Sequence, residues 1–385
     1  MTRLIEFVIA LALVLALFLV IGLVLPSKRH LEESVETNRR MTIVFDTLNS
    51  VRRMKDWNPL IPSAANELSY SGGDANNAGV GAKVDFKSEN PGWGAGSWEI
   101  VESERPAPSG GSGKIAYAIV DKRMGTDKRS VFTLEPTGKN NRNVKVTQSY
   151  DVNYGFNLLG RYAGMYVSRH VGDAVKAGLG KLTNLLASVP NFDYRTEGSP
   201  LTDLKLVDVP AENLLVVNAG NIDRTNDAIK ASIKSNQEWI KRVMEANGLE
   251  AAGPLRIITT DFGTEKYAFD VAQPVRKSGA APKADAAAGD APAPAPVAAT
   301  ADGELKVTIP AGAPVQYVRT QAHKSAYATY AGYMAELDNQ RNALRAWAVT
   351  AGHEVIDRPY ESWKAGVDAS FTADGKFDIY WAVKQ

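Results

Sequence analysis

The most restrictive feature of the chain is an apolar run of 19 residues, Phe7 to Leu25, without a charged or strongly polar side chain. As a helix this run spans roughly 28 Å, which is close to the hydrocarbon thickness of a bilayer. The alternative is a cleaved secretory signal, whose apolar region is usually about 7–15 residues long and ends at a site of small residues. The run ends instead in Leu25-Pro26-Ser27-Lys28, which offers no such site. The sequence therefore predicts an uncleaved membrane anchor at residues 1–29.

The side of the membrane that holds the rest of the chain stays open. Arg3 is the only basic residue before the run, whereas four follow it closely: Lys28, Arg29, Arg39 and Arg40. A literal count of positive charge places the C-terminal part in the cytoplasm. Against this, a single N-terminal span often acts as an export signal-anchor, and nearby glutamates dilute the downstream charge.

Composition excludes several classes of function. The chain has 44 Lys and Arg against 43 Asp and Glu, so no excess of positive charge is present to neutralise many phosphates. Nucleic-acid binding is therefore not expected as the main role. Cysteine is absent, which excludes disulfides, thiolate nucleophiles and Cys-ligated metals.

Residues 30–190 show a pattern of one short helix, several strands and one long helix. The segment from Thr42 to Asn49 carries apolar residues at helical spacing, which predicts a helix. Asp56-Trp57-Asn58-Pro59 then forms a helix-ending turn. Short apolar stretches separated by turn residues predict antiparallel strands at 82–86, 97–101, 114–120, 130–134 and 144–150. Residues 157–189 contain no proline and carry apolar side chains every three or four positions, which predicts a long amphipathic helix over the sheet.

This order of elements resembles the SRPBCC superfamily, which includes polyketide cyclase-like and START-like domains. The residues that carry the resemblance are the Asp-Trp-Asn-Pro turn, Gly79-Val-Gly-Ala82, Gly92-Trp-Gly-Ala-Gly96 and Trp98-Glu-Ile-Val-Glu102. The resemblance implies a helix-grip fold, in which an antiparallel sheet wraps around the long helix and encloses an apolar cavity. Such cavities hold lipids or other hydrophobic molecules.

Residues 201–385 contain an internal repeat. The segment from Leu204 to Ala211 returns as Leu305 to Ala311, displaced by 100 positions. Each copy continues into a strand (213–218 and 314–320), a helix that stops near a glycine, and two further strands. Two such β-α-β-β units would build one domain with pseudo-twofold symmetry, since a single unit cannot bury its sheet face alone.

The repeat resembles the GyrI-like small-molecule-binding domain, which also serves as the effector domain of AraC-type regulators. Pro310-Ala-Gly312, Gly332, Trp347 and Pro359-Tyr-Glu361 occur in family order. No helix-turn-helix precedes this part, so the transcriptional output of those relatives is not expected. The segment 278–303, rich in Ala and Pro, lies between the two copies and is predicted to be a disordered insertion.

A search for catalytic chemistry gives little. The histidines are scattered without ligand spacing (His30, His170, His323 and His353), so no metal is predicted. Ser109-Gly-Gly-Ser-Gly-Lys114 resembles a phosphate loop, but Pro108 and Ile115 replace the glycine and hydroxyl residue that a Walker A motif needs. No cofactor is expected.

Glu361 is the leading candidate site residue. It shares a strand face with Trp363, beside Tyr360, and the resemblance places the matching glutamate in the central groove of GyrI-like domains. A carboxylate among aromatic rings suits a lipophilic cation. The alternative is a solvent-exposed acid on an edge strand. Tyr333 is a weaker candidate, since the tyrosine usual in the family would align with Met334.

Three tryptophans are candidates in the first domain. Trp57, between a helix and Pro59, is interpreted as a core anchor rather than a cavity wall. Trp93 lies in a Gly-rich loop that could cap the cavity mouth. Trp98 faces inward and is either core or cavity wall.

The sequence thus predicts an α+β protein with a single N-terminal transmembrane helix, a helix-grip domain and a duplicated GyrI-like domain. The leading hypothesis is a membrane-anchored, non-catalytic protein that binds a lipid or other hydrophobic molecule in the first domain. The second domain would bind a small effector, for which a lipophilic cation is one candidate. The alternative is a hydrolase of small electrophiles with Glu361 as general base and Trp363 or Tyr360 positioning the substrate. A third possibility is a scaffold with both pockets filled, and protein partners are unknown.

Overall fold

The computed structural model describes residues 2–90, 92–107, 110–195, 201–279 and 303–384. They form two compact units. Unit 1 comprises Met1–Asp193 with Thr350–Gly352, and unit 2 comprises Tyr194–Val349 with His353–Gln385. Most of the predicted insertion at 278–303 lies outside the described residues.

The apolar run forms helix α1, Thr2–Val24. Within Arg3–Val24, the most apolar 18-residue window has a mean hydropathy of 3.3, and only 6% of that window is buried. Among the described residues it is the one helix long and apolar enough to cross a membrane, a test that a signal sequence would also pass.

Unit 1 continues with seven antiparallel strands and two short helices. In chain order these are β1 (Lys28–Thr37), α2 (Met41–Leu48), α3 (Met54–Trp57), β2 (Leu68–Ser71), β3 (Lys83–Lys87), β4 (Ala95–Glu104), β5 (Gly113–Val120), β6 (Thr126–Thr137) and β7 (Asn143–Asn153). The sheet order is β1-β7-β6-β5-β4-β3-β2. Strand β1 had not been predicted; it pairs along its whole length with β7, from Lys28 opposite Asn153 to Thr37 opposite Val144.

The long closing helix is present, but it is not uniform. It comprises α4 (Leu158–Ala163), a 3₁₀ turn at Gly164–Tyr166, a π-helical turn at Ser168–Gly172 and α5 (Asp173–Ser188). Asn157 caps the start, since its Oδ1 accepts the amide of Gly160 at 2.9 Å. The buried stripe of α5 packs on the concave side of the sheet and consists of Val175, Leu179, Leu182 and Leu186.

Unit 2 is built on one large antiparallel sheet with two main helices. In chain order its elements are β8 (Leu201–Val209), β9 (Asn213–Asp223), α6 (Asn226–Asn247), β10 (Leu249–Ala251), β11 (Arg256–Phe262), β12 (Lys266–Lys277), β13 (Val315–Arg319), β14 (His323–Ala331), α7 (Leu337–Thr350), β15 (Tyr360–Trp363), α8 (Gly366–Ser370) and β16 (Lys376–Ala382). The sheet order is β13-β9-β12-β11-β15-β16-β14-β8, with β10 paired to β12. The two units together confirm the α+β class.

The strand order of unit 2 is the same when read from either edge. One half contributes β8, β9, β11 and β12, and the other contributes β13, β14, β15 and β16. From either edge inward, the first strand of one half is followed by the second, fourth and third strands of the other half: β13-β9-β12-β11 and β8-β14-β16-β15. A duplicated unit would produce this order, and the duplication itself stays a prediction.

The sequence match at a displacement of 100 does not correspond to matching strands. Leu204 lies in β8, whereas Leu305 to Pro310 is irregular. The backbone there is bonded to Asn247 at the end of α6: its side chain accepts the amide of Thr308 at 2.7 Å and donates to the Thr308 carbonyl at 2.9 Å. The strand predicted at 314–320 corresponds to β13. It does not lead directly into the second helix, because β14 lies between β13 and α7.

Candidate functional site

Glu361 lies in the middle of the unit 2 sheet, on β15 between β11 and β16. Its side chain is completely buried, so the interpretation as a solvent-exposed acid on an edge strand is wrong. Both carboxylate oxygens accept from Arg341 on α7: Nε lies 2.6 Å from Oε1 and Nη2 lies 3.1 Å from Oε2. This two-point pairing fits one edge of the planar guanidinium, whose Nη1 has no hydrogen-bond partner among the described residues.

Arg341 is itself enclosed. Its Nη2 donates to the Tyr267 hydroxyl at 3.3 Å, which in turn bonds the Thr259 hydroxyl at 2.9 Å. The rings of Phe262 and Tyr267 lie 5.4 and 5.9 Å from its guanidinium carbon. Burial, the largest single effect, lowers the pKa of Arg341, but the charge and hydrogen bonds of Glu361 together with smaller contributions from Tyr267 and Asp338 outweigh it and raise the pKa. The pair is therefore ionic, and Glu361 already has a cation among aromatic rings, supplied by its own chain.

Tyr360 lies on the opposite face of the sheet from Glu361, because side chains alternate along a strand. Its ring stacks on Tyr380 at 4.8 Å, and the guanidinium of Arg256 lies 4.9 Å from its centroid. Arg256 is in turn paired at two points with buried Glu212, at 2.6 and 2.8 Å. The sheet therefore separates Tyr360 from Glu361, and the expectation that Tyr360 positions a substrate for this carboxylate is wrong.

Trp363 shares the face of Glu361 and is 2% exposed. It packs edge-on against Phe371 and Phe377, with ring centroids 5.9 and 5.5 Å apart. Tyr333 is half-buried beside the start of α6, where its hydroxyl bonds the side-chain amide of Asn226, while Met334 is buried. The ligand-binding roles of Glu361, Trp363, Tyr360 and Tyr333 stay predictions.

The interior of unit 1 is aromatic. Trp57 contacts Phe132 edge-on at 5.5 Å, Phe132 contacts Tyr117 at 6.0 Å, and Tyr117 contacts Trp98 at 5.7 Å. All four side chains are at most 1% exposed. Trp57 and Trp98 therefore lie in one group of packed rings between the sheet and the helices.

Three polar atoms in this interior have no protein hydrogen-bond partner among the described residues. They are the indole nitrogens of Trp57 and Trp98 and Oε1 of Gln148. Gln148 is 2% exposed and lies opposite Phe132 in the β6–β7 register, so its side chain shares the inner face of the sheet. Its amide nitrogen is satisfied by the Ser130 hydroxyl at 3.0 Å, which leaves the oxygen as a free acceptor.

Trp93 lies in the β3–β4 loop and is half-buried. Its indole nitrogen donates to the Pro59 carbonyl at 3.4 Å. Pro59 contacts α5, since a Cβ added to Gly178 would lie 3.0 Å from its ring. Trp93 thus bridges a strand loop and the segment after α3; its role at a cavity mouth stays a prediction.

A polar pocket of about 640 Å³ lies at the end of unit 1 where β1 stops. Its lining includes three arginines and five asparagines: Arg39, Arg40, Arg142, Asn38, Asn140, Asn141, Asn143 and Asn191. Arg39 donates to the Ala187 carbonyl at 2.7 Å and Arg40 to the Asn191 carbonyl at 3.2 Å. The contacts of Arg39 and Arg40 are thus to neutral carbonyl oxygens, while the carboxylate of Asp193 also lines the pocket and offsets part of its positive charge.

The C-terminal end of α1 is bound to α4 by specific contacts. Nη1 of Arg161 donates to the carbonyls of Leu23 and Leu25 at 2.8 and 3.2 Å, where a cation stabilises the negative end of the helix dipole. The Tyr162 ring stacks on Phe18 at 4.5 Å, and its hydroxyl donates to the Phe18 carbonyl at 2.7 Å. Gly22 permits this approach, because a Cβ there would lie 3.2 Å from Tyr162.

Three residues of these sites were missed at the level of sequence: Arg341, Arg161 and Gln148. Arg341 carried a usable signal, because Leu337, Arg341, Leu344 and Ala348 fall on one helical stripe whose other members are apolar. Arg161 likewise interrupts an apolar stretch. Gln148 gave no signal beyond its inward position on an alternating strand. No group of three or more acidic or histidine side chains suited to a metal ion occurs in the described part of the chain.

Comparison with known proteins gives distant structural likenesses only. No family model matches the sequence, and no curated protein matches it. The C-terminal domain of EcmrR is similar at 15% identity over 48% of this chain and 98% of that domain, with a TM-score of 0.34. A norcoclaurine synthase mutant from Thalictrum flavum, in complex with a transition-state analogue, is similar at 14% identity over 42% and 94% of the two chains, with a TM-score of 0.31. A Thermobifida fusca protein is similar at 20% identity over 41% and 93%, with a TM-score of 0.31. At these values the likenesses do not identify the function of the chain.

Proposed function

We propose that the chain is a membrane-anchored binding protein whose unit 1 holds a largely apolar molecule, such as a lipid, in its aromatic interior. The observation that carries this proposal is the set of three buried polar atoms without protein partners: Oε1 of Gln148 and the indole nitrogens of Trp57 and Trp98. An apolar ligand with one hydroxyl or amide group can accept from an indole and donate to the glutamine.

The energetics favour a ligand over an accidental arrangement. A buried polar atom left without a partner costs about 1–3 kcal/mol, and most buried polar groups in proteins are paired. Other buried side chains of the described residues also have a polar atom without a protein partner, such as Nε1 of Trp363; the three in unit 1 are distinguished by lying around one group of rings, where a single ligand could bond them. The remaining surface of the interior is aromatic and aliphatic, which explains why the ligand must be mainly apolar.

Anchoring is supported by the contacts at the end of α1. A signal sequence is removed from the mature protein, so a folded domain has no use for side chains that bind its last turn. Here Arg161 donates to the carbonyls of Gly22, Leu23 and Leu25 at the end of α1. Tyr162 donates to the Phe18 carbonyl, about one turn earlier.

The test is native mass spectrometry of the full chain released from lipid nanodiscs, with wild type beside Gln148→Leu and Trp98→Phe. We expect wild type to retain a hydrophobic molecule and each variant to bind it roughly fivefold to tenfold more weakly, the value of one hydrogen bond. Thr147→Val is the matched control, because Thr147 is the neighbour on β7 that faces away from the interior.

The ligand-free stability separates the alternatives. Gln148→Leu removes an unpaired acceptor but also the hydrogen bond from the amide nitrogen to the Ser130 hydroxyl, so the two effects offset and the stability of the ligand-free protein should change by less than about 1 kcal/mol. Loss of stability with unchanged ligand retention would make Gln148 a structural residue and overturn the proposal. Absence of any retained molecule from wild type would favour the scaffold.

A second candidate function concerns unit 2, where we propose that a lipophilic cation competes with Arg341 for Glu361. The pair supports this idea because the site already accommodates one cation, the guanidinium of Arg341, against Glu361 and the Tyr267 ring. Tetraphenylphosphonium should raise the melting temperature of Arg341→Met more than that of wild type, and should not affect Arg341→Met/Glu361→Met. Equal shifts in all three proteins would contradict the competition.

The hydrolase alternative meets the same requirement that Arg341 leaves Glu361. A general base needs an oxygen that faces water or substrate, whereas both oxygens of Glu361 are buried and accept from Arg341.

A further inference from the structure

One end of the unit 1 sheet is the end at which α1 leaves the domain. The strand register places Lys28, Asn153 and Thr126 together there, since Asn153 is opposite both other residues. The β5–β6 turn belongs to the same end, because Ile119 on β5 pairs with Lys128 near the start of β6.

Exposed apolar side chains concentrate at this end. Phe156 is 89% exposed, Leu159 61%, Met165 53% and Tyr166 59%, all in or beside α4. The β5–β6 turn adds Val120 and Met124, which are 66% and 51% exposed. The two groups are neighbours across Tyr154, whose ring would lie 3.1 Å from a Cβ at Gly125 and 2.7 Å from a Cβ at Gly164. Exposed apolar side chains grouped in this way mark a surface that binds a partner.

The apolar side chains are continuous with α1 itself. Leu158 of α4 packs on the helix, since its Cβ would lie 3.2 Å from a Cβ at Gly22. Leu159 is the next residue and stays exposed, so the apolar surface of α1 extends onto the domain without a polar gap along the chain. A bilayer that surrounds α1 up to its C-terminal end would therefore also contact α4.

Cations lie beside these apolar residues. Lys28, Lys122 and Arg169 are exposed, and none of them forms an ion pair with a carboxylate in the part of the chain that the structure describes. Basic side chains beside exposed aromatic and aliphatic ones are typical of surfaces that lie in the headgroup region of a membrane.

We propose that these residues, 120–124 with 156–169, form a membrane-facing surface that lies in the interface of the bilayer that α1 spans. The apolar side chains enter the boundary of the acyl chains, and the three cations contact anionic headgroups. The inference rests on the proposed membrane anchoring and adds to it a fixed contact between the folded domain and the lipid.

The test uses single cysteines, which the chain permits because it has none of its own. Phe156→Cys, Met165→Cys and Met124→Cys report on the surface, Leu13→Cys reports on α1, and Val80→Cys is the control. Val80 is 61% exposed, as Leu159 is, but lies in the β2–β3 loop. Each full-length variant carries a fluorophore and is reconstituted in vesicles of phosphatidylcholine with or without phosphatidylglycerol.

Quenching by nitroxide lipids and by aqueous iodide then distinguishes the outcomes. We expect the three surface positions to be quenched at least threefold more strongly by the lipid nitroxide than Val80→Cys, and to be protected from iodide. Phosphatidylglycerol should increase the difference. If only Leu13→Cys is quenched by lipid, the anchor stands and the membrane-facing surface is overturned. If no position is quenched by lipid, the anchoring fails as well.

Discussion

Arg341 and Glu361 place two full charges inside unit 2, where neither is more than 3% exposed along its side chain. Burial of such a pair contributes little net stability, because desolvation offsets the attraction. Removing one partner is far more costly, since it leaves an unpaired buried charge. The pair is therefore better understood as a specific contact between α7 and β15 than as a general source of stability.

Denaturant unfolding of pair variants tests this view. Arg341→Met and Glu361→Gln should each lose about 3–5 kcal/mol, whereas Arg341→Met/Glu361→Met should recover most of that loss. Lys384→Gln is the control, because it breaks the exposed pair with Glu354 and should change stability by less than about 0.5 kcal/mol. Additive losses in the double variant would contradict the prediction.

Gly22 provides a second prediction at this scale. A leucine there would collide with Leu158 and Tyr162, whose atoms lie 3.2 Å from the position of a Cβ. Gly22→Leu should separate α1 from α4 and raise amide hydrogen exchange in residues 158–163 at least tenfold in nanodiscs. Ala16→Leu, at an exposed position of the same helix, should leave exchange unchanged. Equal exchange in both variants would mean that the contact is not formed.

Sequence reasoning at the level of elements succeeded where a pattern is local and failed where it depends on a distant partner. The strand at 113–120 and the helix at 41–48 follow from their own apolar spacing. Strand β1 is mostly charged, and only its pairing with β7, more than 100 residues away, makes it a strand. Arg341 was missed for the same reason: its partner is brought to it by the sheet. Trp57 and Glu361 could be selected as candidates from the sequence, but the ring contacts of Trp57 and the hydrogen bonds of Glu361 could not be predicted.

The tyrosines on the other face of the unit 2 sheet predict a sensitivity to alkaline pH. Burial raises the pKa of Tyr360 to about 12. Burial also raises the pKa of Tyr327 and of Tyr380, and Tyr380 stacks on Tyr360. Because folding disfavours the tyrosinate form, stability is complete below the unfolded pKa of about 10 and falls as the pH rises towards 12.

Urea unfolding measured along this pH range checks the sign. Tyr360→Phe keeps the stacked ring but cannot ionise, so it should remove on the order of 1–2 kcal/mol of the alkaline loss and change little at neutral pH. Tyr166→Phe is the control, because Tyr166 is 59% exposed in unit 1. A variant at Tyr360 that is equally sensitive to alkali would show that other groups cause the loss.

At the scale of the whole molecule, the chain forms two units, the first of which includes α1, and their candidate sites differ in kind. Buried polar atoms without protein partners occur in both units, but the candidate carboxylate of unit 2 is already paired with Arg341. The two family resemblances implied an apolar cavity in the first domain and an effector groove in the second. The difference between the two candidate sites lies in which side chains pair with one another, and residue spacing in the sequence does not predict such pairs.

The anchor gives a simple prediction for the mature protein. The intact mass of the chain purified from membranes should include α1, because α1 is bound to α4 rather than released. Alkaline carbonate should not extract it. A mass that lacks about the first 25 residues would identify the run as a cleaved signal.

Only Leu25, Pro26 and Ser27 separate the end of α1 from the start of β1. Three residues reach at most about 10 Å, and proline stiffens them further. With α1 as the proposed membrane anchor, unit 1 cannot swing away on a tether to meet a second bilayer, and it diffuses together with that helix. A molecule held in its interior would be exchanged with one membrane only, and delivery to another membrane would need a separate carrier that comes to it.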